Sequence, residues 1–456
     1  MAIEETTRQR VNDLFPTEPI DRLIAPIQRF LRVETTSGII LIVATVVALL
    51  WANFGGAIYS YVWNLNVGFT LGSWQVYHSL HWWVNDALMT LFFLVVGLEV
   101  KVEIVHGELR DIKAASLPII AALGGMLFPA GVYLLLSPVG ADRGWGIPMA
   151  TDIAFVVGCM VLLGKRVPRG LHVMILTLAI ADDIGSIVVI ALGYSRGIQW
   201  PALIIALLLL VLIRICFRVG IRSLVVHGVL GIMIWYAFVI SGIHAALAGV
   251  ALGLLTPAKP WVCEGKLDGL ALKIGNFLSG GPNLKHEEKF ELCSILQKTS
   301  KESFSLQERM LHKMHPWVSY VIMPLFAIAN AGVLVELNSF SLVTLSVASG
   351  LILGKPIGIF VFSFLAIKCG IARRPTGVSW SVLFGGGMLA GIGFTMSLFV
   401  SELAFGGAPH LLSAAKIGIL SGSLVAAVLG MAFIRFSTRK KESAPENEST
   451  VAEEDK

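Results

Sequence analysis

Residues 385–395 of the chain read GGGMLAGIGFT, from Gly385 to Thr395. The segment lies inside an apolar run at about 380–403, but five of the nine residues 385–393 are glycine. Each glycine costs about 1 kcal/mol relative to alanine inside a helix, so a continuous helix is unfavourable here. Taken alone, these glycines are explained equally well by close packing against a neighbouring helix.

A second apolar run, at about 146–164, is interrupted in a similar way. It reads IPMATDI over residues 147–153, where Pro148 and the Thr151-Asp152 pair favour local unwinding. Non-helical backbone at membrane depth is tolerated only where protein or a wet cavity surrounds it. Two interruptions together therefore favour broken helices beside a cavity.

The composition indicates a membrane protein. Charged residues make up 14% of the 456 residues, hydrophobic residues 55%, and the mean hydropathy is +0.78. A typical soluble domain has about 25% charged residues, so a soluble, disordered or collagen-like chain is excluded. The five cysteines are scattered without a CxxC pair, which excludes a disulfide scaffold and a zinc site. The first 35 residues are polar, so no cleavable signal peptide is expected.

The apolar runs predict an all-α polytopic membrane protein, since a spanning helix needs about 20 mostly apolar residues. We predict twelve transmembrane helices, at about 38–54, 84–104, 115–137, 146–164, 171–193, 200–217, 222–240, 243–256, 316–337, 343–366, 380–403 and 411–434. The predicted organisation is a cytoplasmic segment 1–37, spans 1–8 within 38–256, a cytoplasmic insert 257–315, spans 9–12 within 316–437, and a disordered cytoplasmic tail 438–456.

The basic residues support this topology with both termini in the cytoplasm. Under it, the outside loops carry only Arg143 and Arg196, as the positive-inside rule requires. The basic residues on the inside are Arg8, Arg10, Arg22, Arg29, Arg32, Lys101, Arg110, Lys113, Lys165, Arg166, Arg169, Arg214, Arg218, Arg222, Lys368, Arg373, Arg374, Arg435, Arg439, Lys440 and Lys441, besides those of the insert.

A small β-hairpin is predicted at about 62–80, on the external side. Residues 55–82 carry no charge, and Asn64–Tyr77 alternates loosely with turn-forming Gly68 and Gly72. Such a hairpin is a plausible homodimer contact, and packing on the membrane face is an equally good explanation.

Few ionisable side chains lie at membrane depth, where each costs about 2.5–3.5 kcal/mol. Asp152, Asp182, Asp183 and Lys355 lie in the middle of apolar runs, whereas Glu402 and Lys416 lie near span ends and are expected to reach the interface. Adjacent residues on a helix point about 100° apart, so one of Asp182 and Asp183 should line a cavity and the other should reach a partner. Purely structural ion pairs would leave the excess carboxylates uncompensated.

The two interrupted segments occupy matching positions, in the middle helices of spans 3–5 and 10–12. This arrangement is typical of inverted-repeat transporters with crossed broken helices. Asp152 could then balance the positive ends of the half-helices, and Lys355 the negative ends.

At this point the chain resembles the NhaA-type sodium/proton antiporters. The resemblance extends from about residue 35 to 436 and rests on strings in family order, namely WVNDALM (83–89), FFLVVGLEVK (92–101), ATDIAF (150–155), IADDIG (180–185), SGIHA (241–245), HPWV (315–318), PLFA (324–327), NAG (330–332), GKP (354–356) and GIGFTMS (391–397).

The resemblance implies a role for each matching residue. Asp183 is implied as the main cation- and proton-binding carboxylate, Asp182 as its neighbour that pairs with Lys355, and Thr151 and Asp152 as parts of the unwound chain at the site. The implied pH-sensing residues are Glu99, Glu103, His244, His312 and His315. The chain departs from the family pattern at Val102 and Leu311, and its insert is longer, which affects the expected pH profile.

The implied function is electrogenic, pH-regulated exchange of Na⁺ or Li⁺ for H⁺ across the bacterial inner membrane. The protein is then a secondary transporter and not an enzyme, with no cofactor and no nucleic-acid partner. Carboxylate, hydroxyl and carbonyl oxygens suit a hard cation such as Na⁺, and burial moves the pKa of a carboxyl group toward neutrality. Asp183, Asp182 and Thr151 could therefore hold either ion.

Three other classes fit less well. An intramembrane aspartyl protease could use Asp152 with Asp182, but the chain has no Tyr-Asp or Gly-Asp dipeptide. A sodium-coupled organic-anion symporter should have a roomier polar cavity and lack the central lysine. A channel should have a filter string or a carboxylate ring, and neither is found in the sequence.

Overall fold

The computed structural model describes residues 34–55, 57–71, 74–195, 197–221, 223–260, 290, 294, 303–334 and 341–442. Most of the predicted N-terminal segment, of the insert and of the tail lies outside these residues. The described helices are α1 (Glu34–Phe54), α2 (Ala57–Trp63), α3 (Met89–His106), α4 (Ile112–Leu136), α5 (Ile153–Leu163), α6 (Arg169–Gly193), α7 (Trp200–Val219), α8 (Leu224–Ser241), α9 (Ala246–Leu255), α10 (Leu306–Trp317), α11 (Met323–Asn330), α12 (Leu342–Ser349), α13 (Lys355–Lys368), α14 (Trp380–Ala390), α15 (Phe394–Phe405) and α16 (Pro409–Glu442).

Several of these helices are joined by π-helical or 3-10 turns. A short helical turn, Leu80–Trp82, and a π turn, Trp83–Leu88, lead into α3. Further π turns join α10 to α11 (Val318–Ile322) and α12 to α13 (Gly350–Gly354), and a 3-10 segment, Asp142–Met149, precedes α5.

Eight helical segments in the described part of the chain are long and apolar enough to cross a membrane, and the bent pair α14–α15 adds a ninth. They are α1, α4, the segment Asp142–Leu163, α6, α7, α8, the segment Leu342–Lys368 and α16. The protein is therefore a multi-pass membrane protein.

Three of the twelve predicted spans do not meet the same test, each for its own reason. Helix α3 contains three charged residues, Glu99, Lys101 and Glu103, which is too many for a span defined in this way. Helix α9 has 10 residues, which at 1.5 Å per residue is about half the roughly 30 Å of a hydrocarbon core. In the third of these spans, predicted at about 316–337, the described helix α11 ends at Asn330. A total of twelve spans stays a prediction.

The predicted hairpin is confirmed as a two-stranded antiparallel sheet. Strand β1 (Asn66–Leu71) pairs with β2 (Trp74–Ser79), with Val67 opposite His78 and Phe69 opposite Val76. The Leu80 N–H donates to Leu65 O at 2.9 Å, which closes the hairpin immediately before the helix that leads to α3. The Trp83 indole donates to Val67 O at 2.8 Å and ties the hairpin to that helix.

Helix α9 packs closely along α3 and fixes the position of that helix. The contact depends on Gly97 and Gly253, because a Cβ at Gly97 would lie 2.8 Å from Val250 O, and one at Gly253 would lie 2.7 Å from Gly97 C. Glycine-mediated approach of this kind is common between membrane helices. The packing sets the orientation of α3, which carries Glu99.

Candidate functional site

The two interrupted segments meet in the middle of the bundle. Residues 150–152 are not helical and separate the 3-10 segment from α5, and residues 391–393 separate α14 from α15, whose axes differ by 48°. The Asp152 N–H donates to Ile392 O at 2.7 Å. The Thr151 hydroxyl lies 3.1 Å from Ala390 O. Each break thus satisfies backbone groups that the other leaves without a helical partner.

Asp152 caps two helices at once. Its Oδ1 accepts from the Phe155 N–H at 3.3 Å, at the start of α5. Its Oδ2 accepts from the Thr395 N–H at 3.1 Å and from the Thr395 hydroxyl, at the start of α15. The carboxylate is 2% exposed, and the positive ends of both helices compensate its charge.

Asp182 forms a buried ion pair with Lys355. The Lys355 Nζ lies 2.7 Å from Asp182 Oδ2, and the side chains of both are completely buried. The Thr151 hydroxyl lies 2.5 Å from the same oxygen. The lysine also donates to Met149 O, at the end of the 3-10 segment, where helix carbonyls carry partial negative charge. Asp182 therefore has a full countercharge.

Asp183 faces a cavity and has no such partner. It is 3% exposed and follows Asp182 on α6. Its Oδ1 accepts no hydrogen bond from the described residues, as is also true of Asp182 Oδ1, so the two aspartates differ in countercharge and in access to the cavity. The side chain lines a cavity of about 410 Å³, here called the central cavity, together with Thr151, Asp152 and Thr395. The adjacent aspartates thus have different surroundings, and only Asp183 is open to an ion from the cavity.

The central cavity extends to the surface at Glu99 and His315. Both residues line it, with side-chain exposures of 33% and 58%. The His315 Nε2 lies 3.8 Å from Glu99 Oε1. Charged groups of opposite sign, when His315 is protonated, therefore meet at the mouth of the cavity.

The other residues of the predicted pH-sensing group lie around or away from this mouth. Glu103, one turn beyond Glu99, lines a neighbouring cavity of about 920 Å³ together with Val102 and Leu311. His312 is exposed on α10. His244 packs its ring edge-on against Phe399 at 5.3 Å, about three helical turns from Glu99 along the α3–α9 contact. Glu99 thus lies beside Glu103 and His315, whereas the described ring contact of His244 is with Phe399.

No group of three or more His, Cys, Asp or Glu side chains among the described residues converges on a metal-binding position. A preassembled chelate is therefore not part of the described chain. The oxygens that line the central cavity around the broken segments belong to Asp183, Asp152, Thr151 and Thr395, and those of Ser37, Glu99, Ser319 and Tyr320 line the rest of it. A hard monovalent cation suits these oxygen ligands.

Glu402 and Lys416, which from the sequence we expected to reach the membrane interface separately, lie close to one another in the structure. Lys416 is 7% exposed, and its Nζ lies 3.7 Å from Glu402 Oε2. The Glu402 Oε1 lies 4.0 Å from His81 Nδ1. Opposite charges on neighbouring helices thus lie next to one another, with Lys416 buried and the Glu402 side chain 19% exposed. With Asn85 and Asn330 these residues form what we name the Glu402 cluster, which consists of His81, Asn85, Asn330, Glu402 and Lys416.

Sequence reasoning also missed Thr395 as a partner of Asp152. The available signal was the spacing along the segment after the glycines. Thr395, Phe399 and Glu402 are separated by four and three residues, which sets them on one face of a helix. That face runs from the broken segment to the Glu402 cluster.

The chain is similar to known sodium/proton antiporters. A family model described as Na⁺/H⁺ antiporter 1 matches residues 28–434. The NhaA Na⁺/H⁺ antiporter of Rhodopirellula baltica is 44% identical over 428 residues, which cover 93% of this chain and 97% of that protein. The NhaA antiporter of Rhizobium meliloti is 45% identical over 421 residues, covering 91% and 95%.

A solved structure has a similar fold at low sequence identity. It is the sodium proton antiporter MjNhaP1 from Methanocaldococcus jannaschii at pH 8, with a TM-score of 0.50 and 12% identity, covering 93% of this chain and 95% of that one. The family match and the identities to the NhaA proteins confirm the resemblance found in the sequence. The chain belongs to the Na⁺/H⁺ antiporter 1 family, the family of the NhaA antiporters.

Proposed function

We propose that this protein is a secondary transporter that exchanges Na⁺ for H⁺ at Asp183 by alternating access. The observation that carries the proposal is the position of this carboxylate. It is 3% exposed, lines the central cavity, and presents an oxygen that accepts no hydrogen bond from the described residues. A buried carboxylate of this kind requires a counterion or a proton.

The charges around the site support exchange of one ion for the other. Asp152 is compensated by two helix N-termini, and Asp182 by Lys355. Asp183 is left with one negative charge, which either Na⁺ or H⁺ neutralises. Carrying the empty, charged site through an apolar barrier would be costly. The site therefore changes sides when it is loaded, and the competition of the two ions for one carboxylate produces antiport.

We propose further that transport is electrogenic and that Li⁺ can replace Na⁺. Asp182 precedes Asp183 in the chain, and its Oδ2 lies 2.7 Å from Lys355 Nζ. In this proposal the pair carries a second exchangeable proton. If the arrival of Na⁺ releases this proton as well as that of Asp183, more than one H⁺ crosses for each Na⁺. Li⁺ is a smaller hard cation and binds the same kinds of oxygen.

Regulation by pH is proposed at the mouth of the cavity. Histidine changes its charge between about pH 5 and 8. Protonated His315 forms an ion pair with Glu99, whereas neutral His315 leaves the Glu99 carboxylate free to attract cations. This model gives low activity in acid and higher activity in alkali. Val102 and Leu311, where the chain departs from the family pattern, line the neighbouring cavity. We therefore expect the pH range in which this chain is active to differ from that of other family members.

For the topology we propose twelve spans, with inverted repeats in spans 3–5 and 10–12 and both termini in the cytoplasm. The distribution of basic residues supports this orientation, and the meeting of two broken segments supports the repeats. In this orientation Glu99 lies toward the cytoplasm and the Glu402 cluster toward the outside of a bacterial inner membrane. The hairpin is the proposed homodimer contact, since its charge-free strands suit a second copy.

The test is sodium-dependent fluorescence dequenching of a pH-sensitive dye in proteoliposomes that contain no organic solute. Addition of Na⁺ is expected to move protons in the opposite direction. An organic-anion symporter would give no signal without its solute, and a channel would give Na⁺ flux without coupled proton movement. Either of these results would reject the proposal.

A further inference from the structure

The Glu402 cluster lies at the end of the bundle that is opposite to Glu99. Its ion pairs are long: Lys416 Nζ is 3.7 Å from Glu402 Oε2, and His81 Nδ1 is 4.0 Å from Glu402 Oε1. Charge-assisted hydrogen bonds are usually about 2.7–2.9 Å long. The buried Oε2 accepts no hydrogen bond from the described residues. The Glu402 carboxylate thus lies near Lys416 and His81 but forms a direct hydrogen bond with neither of them.

The two asparagines of the cluster complete a polar surface beside this carboxylate. The Asn330 amide donates to Asn85 Oδ1 at 2.7 Å, and His81 Nε2 lies 3.2 Å from Asn330 Oδ1. The side chains of His81 and Glu402 are 25% and 19% exposed. The cluster therefore reaches the surface on its outer side.

A layer of buried phenylalanine rings separates the cluster from the central cavity. We call Phe93, Phe326 and Phe399 the phenylalanine layer. The ring of Phe399 lies 5.4 Å from that of Phe93 and 6.4 Å from that of Phe326. Each of the three is at most 1% exposed. Packed apolar rings are an unfavourable environment for an ion, so the layer is a barrier between the two sites.

Three helices carry the same order of side chains along their axes. On each, a residue that lines the central cavity is followed by a ring of the phenylalanine layer and then by a residue of the Glu402 cluster. The series are Val96, Phe93 and Asn85 on α3 and the turn before it, Met323, Phe326 and Asn330 on α11, and Thr395, Phe399 and Glu402 on α15. Cavity, layer and cluster thus lie on one line.

We propose that the Glu402 cluster is a second cation-binding station on the transport path, at which Glu402 binds Na⁺ on the outer side of the phenylalanine layer. The proposal rests on the proposed exchange function. The rings of the layer belong to different helices, so a displacement of α15 relative to α3 and α11 separates them and joins the station to the central cavity. Neither the family match nor the sequence resemblance assigns this role to Glu402.

The charges around Glu402 make such a station weak, as an exit site must be. The titratable groups that face Glu402 are His81 before α3, Lys416 on α16 and Tyr59 on α2. Lys416 lies 3.7 Å from Glu402, beyond hydrogen-bond distance, and offsets the charge of the carboxylate only in part, so a cation is attracted but held only briefly. Binding that is favourable enough for entry and weak enough for release is the requirement for passage.

The proposal is tested by comparing the two sides of the membrane in the Glu402→Gln variant. Half-saturating Na⁺ is measured in right-side-out vesicles, where Na⁺ enters from the outer side, and in everted vesicles, where it enters from the cytoplasmic side. We expect the outer value to rise about fivefold, as for loss of a partly solvated charge contact, and the inner value to change by less than about twofold. Asp142→Asn, an exposed aspartate before α5, is the control and should change neither value.

Equal changes on both sides, or none, would overturn the proposal and assign Glu402 a structural role. Those outcomes leave the exchange function intact, because wild-type vesicles would still couple Na⁺ to H⁺. If Glu402→Gln does not reach the membrane, Glu402→Asp decides the question, since it keeps the charge but shortens the side chain. It should raise the outer value alone, by about twofold, and an unchanged outer value would contradict the proposal.

Discussion

The Lys355 ammonium group lies 2.7 Å from the Asp182 carboxylate, and neither side chain is exposed. This contact determines how charge is distributed in the site. Lys355 forms its ion pair with Asp182. The next residue in the chain, Asp183, forms no ion pair with the described residues. The pair therefore makes Asp183 the place where a transported ion is needed.

Lys355→Ala is expected to destabilise the protein, because Asp182 would be left as a buried charge without a partner. The expected loss is about 3–5 kcal/mol at neutral pH, the range for breaking a buried ion pair. The deficit should shrink as the pH falls, since a proton on Asp182 removes the unpaired charge. Thermal unfolding in detergent as a function of pH measures both effects.

The double variant Lys355→Ala with Asp182→Asn is the internal control for this prediction, because it removes both charges and should recover much of the stability. Lys368→Ala removes an exposed lysine from the same helix, α13, and should change stability by less than about 1 kcal/mol. A Lys355→Ala variant as stable as the wild type would show that the pair does not hold the bundle together.

Thr395→Val should weaken the double cap that Asp152 provides. The change keeps the shape of the side chain but removes the hydroxyl that donates to the carboxylate. A hydrogen bond to a charged group contributes about 1.5–3 kcal/mol, so a loss in that range is expected in thermal unfolding. Thr438→Val, which removes a hydroxyl bonded within α16, should cost less. Equal losses of stability in the two variants would mean that the hydrogen bond to Asp152 contributes no more than an ordinary bond within a helix.

Gly97→Ala should disturb the packing of α9 on α3. The added Cβ would lie 2.8 Å from Val250 O, which is backbone and cannot move aside alone. Overpacking of this kind typically costs about 1–3 kcal/mol. At Gly228 in α8 an added Cβ meets nothing within 4 Å, so Gly228→Ala should be neutral or stabilising by up to about 1 kcal/mol. A stable Gly97→Ala variant would contradict this account of the contact.

His315→Gln should move the onset of exchange to lower pH. The contact between His315 and Glu99 is an ion pair only while the histidine is protonated, so its contribution is present in acid and is lost as the pH rises. Without the histidine, no imidazolium charge opposes the approach of cations to Glu99 in acid, and we expect the onset to shift by about one pH unit. The measurement is the exchange rate in everted vesicles between pH 5 and 9.

His312→Gln provides the comparison for this prediction. His312 is exposed on the same helix, and no contact between it and Glu99 is described, so its replacement should shift the onset less. An equal shift in the two variants would show that the contact at the cavity mouth is not the pH-dependent element.

Local signals in the sequence were sufficient for several features. Gly391, Gly393 and the Thr151-Asp152 pair lie where the structure has non-helical backbone, as predicted, whereas Gly385, Gly386 and Gly387 lie within α14 and allow close packing. The loose alternation of Asn64–Tyr77, which contains Gly68 and Gly72, predicted the hairpin. In each case the deciding property belongs to a few consecutive residues, such as a lost helix propensity or a turn preference, and does not depend on distant parts of the chain.

Features that depend on packing could not be predicted in the same way. The contact between Glu402 and Lys416 joins two helices, and that between Glu402 and His81 joins segments more than 300 residues apart. From sequence alone, a charge near a span end is assigned to the interface, because nothing local indicates its partner. Likewise, the contact between His315 on α10 and Glu99 on α3 depends on how the two helices pack.

The central claim is that Asp183 is the carboxylate for which Na⁺ and H⁺ compete. The most direct test is Na⁺-dependent dequenching in proteoliposomes that contain Asp183→Asn, with the exposed Asp142→Asn as the matched control. We predict that Asp183→Asn forms a stable protein that gives no Na⁺-dependent proton movement between pH 6 and 9, while the control keeps wild-type exchange. Normal exchange by Asp183→Asn would contradict the account.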